Sequence, residues 1–246
     1  MKRFITGAVV AALAAGYALA EEGKPHFQYS GEHGPSHWGD LEKDFATCKI
    51  GKAQSPIDIH GAVKASLPAI GFHYADSPAE VTNNGHSIQV NLSNGGTADL
   101  PSGTYKLVQF HFHAPSEEKI NGHAYAMVAH LVHQNDEGKL AVVAVLFKEG
   151  KANPALAKVF AAMPAEEGGK AALDGGANAA DLLPAKQNYY AYMGSLTTPP
   201  CSEGVHWQIL EQPVELSREQ LAAFRKLYPM NARPTQKLNG RKVEEN

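Results

Sequence analysis

The run Gln109-Phe110-His111-Phe112-His113 sets two histidines one residue apart between aromatic neighbours. On a β-strand, residues i and i+2 leave the same face, so both imidazoles project together while Phe110 and Phe112 turn the other way. Such a pair chelates, and zinc takes neutral imidazole nitrogens at about 2.0–2.1 Å. A third candidate lies in Ala129-His130-Leu131-Val132-His133. If Asn121-Gly122 forms a hairpin tip, residues 113 and 130 are equidistant from it, and His130 shares the face of His111 and His113. Three histidines from two adjacent strands leave the fourth position of a tetrahedral zinc open for water, as in a catalytic site. His133 falls on the opposite face and reads as a buried structural histidine. Gln109 shares the face of His111 and can accept the proton of its non-ligating nitrogen, fixing the tautomer and strengthening the ligand.

Positioning these side chains requires a sheet. Short β-rich runs recur at Ile70–Tyr74, Ser87–Leu92, Tyr105–His113, Tyr125–His133 and Leu140–Phe147. Between them lie the turn signals Asn83-Asn84-Gly85, Asn94-Gly95-Gly96, Asn121-Gly122 and Asp136-Glu137-Gly138. Tyr189–Met193 and Val205–Glu211 are further strand candidates. Closely spaced strands with short turns favour antiparallel pairing. Helices are expected over Pro154–Met163, with Pro at a tolerated early position, and from Ser217, where Ser217-Arg218-Glu219-Gln220 spells a capping box. The Ala/Gly-rich stretch from Ala161 to Ala180 reads as a surface loop or loose helical turns, and residues 21–60 as irregular structure. The expected fold is mainly β with peripheral helices (α+β), a single domain around a central, largely antiparallel twisted sheet.

Residues 1–20 stand apart from this domain, which spans 21–246. Met1-Lys2-Arg3 is a basic start, Ile5 to Leu19 is almost wholly apolar or small, and Ala18-Leu19-Ala20 supplies the small residues read by a signal peptidase. Cleavage is expected before Glu21. An uncleaved anchor is the competing reading, but the apolar stretch is short for a bilayer and no stop-transfer pattern follows. Lys2 and Arg3 are the only charged residues in this stretch, so the remainder is acidic overall, with 25 Asp and Glu in all. Nothing suggests a nucleic-acid partner, which would favour a clustered basic surface, nor a membrane contact after cleavage. The two cysteines, Cys48 and Cys201, form an even pair in an exported chain and read as one disulfide. Their wide separation and lack of a neighbouring cysteine argue against metal ligation.

The chain resembles the α-class carbonic anhydrases, and closely. The matching stretches are Gly34-Pro35-Ser36-His37-Trp38, Gln54-Ser55-Pro56-Ile57-Asp58-Ile59, Asn83-Asn84-Gly85-His86, the Gln109–His113 run, His130-Leu131-Val132-His133, Ser195-Leu196-Thr197-Thr198-Pro199-Pro200 and Asn231-Ala232-Arg233-Pro234. They follow the family's order over nearly the whole mature chain, and Cys48 and Cys201 sit where exported bacterial members place a disulfide.

The resemblance implies reversible hydration of carbon dioxide to bicarbonate and a proton, with one Zn2+ per chain. It makes Thr197 the acceptor of the zinc hydroxide's hydrogen bond and Glu117 the partner of Thr197, which aims the nucleophile. It makes Val132, Val142, Leu196, Thr198, Val205 and Trp207 the substrate pocket, chiefly an apolar wall suited to a small uncharged molecule. His86 matches the family's proton-shuttle position, where a pKa near 6.5 suits proton transfer at neutral pH. Tyr29, Asn84 and Gln89 line the water path to it, and Asn231 joins Gln109 behind the ligands. Bacterial relatives suggest a homodimer, and the signal suggests the periplasm, with full secretion the alternative.

Two positions depart from the family's pattern. Val128 stands two residues before the third histidine, where members usually carry a glutamate that accepts that ligand's second proton. Either a water, a backbone carbonyl or another side chain substitutes, or the site tolerates weaker zinc binding. Glu118 follows Glu117 where many members have His or Asn, which leaves two carboxylates competing for one role. The alternative function is a catalytically silent zinc-binding protein on the same fold; loss of a zinc histidine would mark it, and all three histidines are present.

Overall fold

The computed structural model describes residues 27–246, so the expected signal segment 1–20 lies outside the described residues. Eight strands form the body of one sheet: β1 (Ser77–Asn83), β2 (Ile88–Leu92), β3 (Gly103–His113), β4 (Met127–Gln134), β5 (Leu140–Glu149), β6 (Lys170–Ala177), β7 (Tyr189–Ser195) and β8 (Glu203–Leu210). Their spatial order is β6-β1-β2-β3-β4-β5-β8-β7, and short strands extend the sheet at Glu244–Glu245 and Val63–Lys64. Every junction in the eight-strand row is antiparallel except β5–β8, which is parallel. A parallel neighbour needs a long crossover, here the chain from residue 150 to 202. Among the described residues no helix is long and apolar enough to cross a membrane.

The two faces of the sheet divide the labour by parity. On β3 and β4, Phe110, Phe112, Ala129 and Leu131 enter a core with Val143 and Val145 of β5. Helices α1 (Pro154–Ala161) and α2 (Arg218–Leu227) cover that face through Leu156, Val159, Phe160, Leu221 and Phe224. Phe112 packs edge-on against Phe160 and Phe224, with centroids 5.4 and 6.2 Å away. The opposite face carries Val128, Val142, Ala144, Leu146, Val205, Trp207 and Ile209 as a second apolar cluster.

Both helices start as the sequence predicts. Asn153 caps α1 by accepting from the Leu156 amide, with Pro154 in the first turn. Ser217 and Gln220 complete the capping box of α2. Gln220 also exchanges hydrogen bonds with the Asn153 backbone, at 2.9 and 2.6 Å, so the two helix starts lock together.

Two expectations are corrected. Asn121-Gly122 is not a simple tip joining β3 to β4. Residues 119–124 form their own small hairpin, paired with Asp58–Ile59 in a separate sheet. The register therefore sets His111 opposite His130 and His113 opposite Val128, two residues from the symmetric estimate. A shift of two preserves the face, so the histidines still converge. Within the segment 161–180, Lys170–Ala177 is an edge strand, antiparallel to β1. Its alanines and glycines carry no alternation to reveal it. Gly176 has a left-handed φ of 65° and lies so close to the Ser77 backbone that a Cβ would collide with it.

Cys48 and Cys201 form a disulfide across a sequence separation of 153 residues. They pack with Trp38 in a small cluster of their own. Replacing both by Ser is expected to lower the unfolding free energy by about 2–5 kcal/mol. Urea denaturation of the oxidised protein against the double variant measures this, and equal values would deny the bridge a stabilising role.

Candidate metal centre

His111 and His113 rise from the end of β3, and His130 rises from the middle of β4, directly across from His111. One ring nitrogen of each points into a shared space, and the three nitrogens lie within 4.8 Å of one another. The other nitrogen of each ring is engaged. His111 Nδ1 meets Gln109 Oε1 at 2.9 Å, His113 Nδ1 meets the Asn231 carbonyl at 2.7 Å, and His130 Nε2 meets Glu118 Oε1 at 2.9 Å. Each acceptor holds a proton on the nitrogen it faces, leaving the opposite nitrogen with a free lone pair. The available set is Nε2 of His111, Nε2 of His113 and Nδ1 of His130.

His113 Nε2 is fully buried with no hydrogen-bond partner. An orphaned buried nitrogen is costly unless something coordinates it, and three lone pairs aimed at one point suit a metal ion. The protonation states agree for two of the three. Burial, and then the charge of His130, lower the pKa of His111 to about 3 and take His113 well below the usual value. Burial also pulls His130 down, but Glu118, by charge and hydrogen bond, and Glu117 outweigh it and raise its pKa. That proton belongs on the Glu118 side, and a cation at Nδ1 would replace any second one.

Glu117 is buried beside the triad, with Oε2 3.5 Å from His113 Nε2. Its Oε1 accepts from the Arg233 amide at 2.8 Å. Burial raises its pKa to about 7, with Glu118 adding to the rise, while His130 and hydrogen bonds from the Thr197 hydroxyl and the Arg233 amide oppose it. Thr197 is thus joined to Glu117. Val132, Val142 and Trp207 stand side by side on β4, β5 and β8. Val205 and Leu196 join the same cluster. The Trp207 ring packs edge-on to His130 at 4.9 Å and donates to the Ser195 carbonyl. Thr198 is half-buried, and its carbonyl accepts from the Cys201 amide, which closes the turn after Thr197, while the disulfide anchors the end of that turn to Cys48.

The family of this site is decided by a match over most of the chain: residues 33–246 fit the model described as eukaryotic-type carbonic anhydrase. The chain belongs to the α-carbonic anhydrase family. The α-carbonic anhydrase from Thermovibrio ammonificans, solved in complex with the inhibitor sulfanilamide, is 50% identical, with 89% of this chain and 98% of that one covered at a TM-score of 0.87. A hyperthermostable carbonic anhydrase from a hydrothermal vent chimney is 49% identical, covering 89% and 99%, also with a TM-score of 0.87. The carbonic anhydrase of Klebsiella pneumoniae is 46% identical over 225 residues, 89% of this chain and 91% of that protein.

The remaining expected residues lie in two groups. Asn231 binds more than His113: its side chain accepts from the Ala114 amide and donates to the Phe112 and His86 carbonyls. It therefore ties the end of β3 in this carbonic anhydrase to the turn that carries His86. That turn is organised by Asn84, whose Oδ1 accepts from the His86 and Ser87 amides. Gln89 pairs across the sheet with His111, and its side chain accepts from Asn84 and donates to Asn91. Tyr29 is partly buried, edge-on to Trp38, and desolvation of its hydroxyl, with Glu117, raises its pKa well above the usual value. The His86 ring stacks on Phe27 with centroids 3.6 Å apart. Phe27 was not legible as a site residue, since a lone aromatic near a terminus carries no signal.

Glu118 was the larger omission. The signal was there in two halves, a missing carboxylate at Val128 and an extra one beside Glu117. His133 lies on the core face as expected, 2.8 Å from the Tyr74 hydroxyl. Burial lowers its pKa from 6.5 to about 4. Unfolded chain then binds the proton first, so this histidine's contribution to stability is lost as pH falls from 6.5 towards 4. Ala at His111, His113 or His130 is expected to abolish retention of a bound divalent metal on dialysis against a chelator, while His133→Gln retains it. His133→Gln is also expected to flatten the loss of urea stability between pH 6.5 and 4; an unchanged slope would contradict the assignment.

Proposed function

We propose that this chain is an exported zinc enzyme that catalyses reversible hydration of carbon dioxide to bicarbonate. The observation that carries the reading is the orphaned His113 Nε2, which faces the same space as the free nitrogens of His111 and His130 beside an apolar wall. Zinc held there by His111, His113 and His130 would lower the pKa of a bound water to about 7 and so would supply a nucleophile at neutral pH.

The protein's own residues do the rest. As a carboxylate Glu117 can only accept, so the Thr197 hydroxyl then donates to it and keeps its own oxygen free to accept from the nucleophile. This fixes the direction in which the nucleophile's lone pair points, which matters for a substrate that offers few handles. Val132, Val142, Leu196, Val205 and Trp207 present an apolar surface to carbon dioxide. Such a surface repels the charged product and so favours its release. His86, on its Asn84 turn, passes the released proton to buffer, and Asn84, Gln89 and Tyr29 mark the polar path inward. Export to the periplasm is supported by the Cys48–Cys201 disulfide, which an oxidising compartment maintains.

Stopped-flow hydration of carbon dioxide, with the metal stripped and restored, is the test. Fast turnover that disappears with chelator and returns with zinc is expected. Stoichiometric zinc without hydration above buffer would instead establish a silent zinc-binding protein. His86→Ala is expected to lower kcat by about 10-fold or more in weak buffer while leaving kcat/KM near wild type, with imidazole restoring kcat. An unchanged kcat would remove His86 from the proton path.

A further inference from the structure

We propose that Glu118 is a positioning residue for the third metal ligand, and that its role and the valine at position 128 are two halves of one exchange. The inference rests on reading His111, His113 and His130 as zinc ligands.

Glu117 and Glu118 lie in the bend that follows β3 and flank a single ring. Glu117 Oε2 lies 3.8 Å from His130 Nδ1, and Glu118 Oε1 lies 2.9 Å from His130 Nε2. The two neighbouring carboxylates therefore hold the two nitrogens of one imidazole from opposite edges. Glu118 is 0% exposed, and its Oε2 has no hydrogen-bond partner. A buried carboxylate is costly unless charge and hydrogen bonds offset its desolvation. Among the described residues Glu118 makes its one ion-pair contact with His130, so a cation held by the far nitrogen of that imidazole would make this burial tolerable. In return the carboxylate fixes the proton on Nε2 and makes Nδ1 a stronger donor.

The backbone of Glu118 is itself held: its carbonyl accepts from the Ser116 hydroxyl at 2.7 Å, and the next amide, Lys119, donates to the Ile57 carbonyl. Val128 shares the strand face of His130, two residues away and about 7 Å along β4, and it is fully buried among Ile57, Val142 and Leu146. A glutamate there could reach the same imidazole edge. Two carboxylates would then compete for one N–H, and one would be left buried and unpaired. An apolar residue at 128 is what a carboxylate at 118 requires.

Zinc release into excess chelator and the rise in Tm on adding zinc to the metal-free protein separate positioning from folding. Glu118→Ala is expected to release zinc about 10–100-fold faster and to lose most of the zinc-induced Tm rise, with the metal-free Tm little changed. Glu118→Gln, isosteric and still able to accept, is expected to fall between this and wild type, and it carries the test if the alanine variant fails to fold. Val128→Glu alone is expected to gain no retention, whereas Glu118→Ala/Val128→Glu restores slow release. Release as slow as wild type in both Glu118 variants would overturn the positioning role. Failure of the double variant to improve on Glu118→Ala would overturn the exchange. A wild-type protein that takes up no zinc would instead sink the zinc reading itself.

Discussion

The pairing of His111 with His130 across two antiparallel strands is the constraint from which the site follows. Strand alternation then decides where everything else goes: 109, 111, 113, 128, 130 and 132 belong to one face, and 110, 112, 129, 131 and 133 to the other. The core face is filled with aromatic and branched side chains and sealed by two helices. A slip of one residue would turn the three histidines into that core and the phenylalanines onto the face of the site. Folding and site assembly are for this reason a single event, because the same hydrophobic burial that stabilises the sheet also fixes the ligands.

The polar groups around the triad are arranged so that no acceptor is shared between ligands. Gln109, the Asn231 carbonyl and Glu118 each serve one histidine. Asn231 spends its remaining hydrogen bonds on Ala114, Phe112 and His86, so one side chain ties the ligand strand to the turn at Asn84–His86. Rigidity of this kind is what a small substrate with few binding handles demands, since the protein must supply orientation that the substrate cannot.

Much of this was legible in the sequence, for identifiable reasons. Period-two alternation put His111, His113 and His130 on one face, and even a two-residue error in register left that conclusion intact. The capping box at Ser217 and the proline start of α1 are local rules and held. What escaped was non-local or lacked a pattern. Lys170–Ala177 pairs as a strand although its alanines and glycines have little preference for one. Asn121-Gly122 is a real turn, but of a separate small hairpin rather than of the ligand strands. Glu118 could not be assigned because its partner lies twelve residues on, and only the fold brings them to 2.9 Å.

The Glu118–His130 contact bears on how this chain's history can be read. If one carboxylate must serve one imidazole edge, substitutions at 118 and 128 are coupled, and each is damaging on the background of the other's ancestor. A lineage crossing between the two arrangements must pass through a form with two carboxylates or with none. The first buries an unpaired charge, and the second loosens a ligand. Such a barrier makes the pair a slow-changing marker of descent, more durable than either residue considered singly.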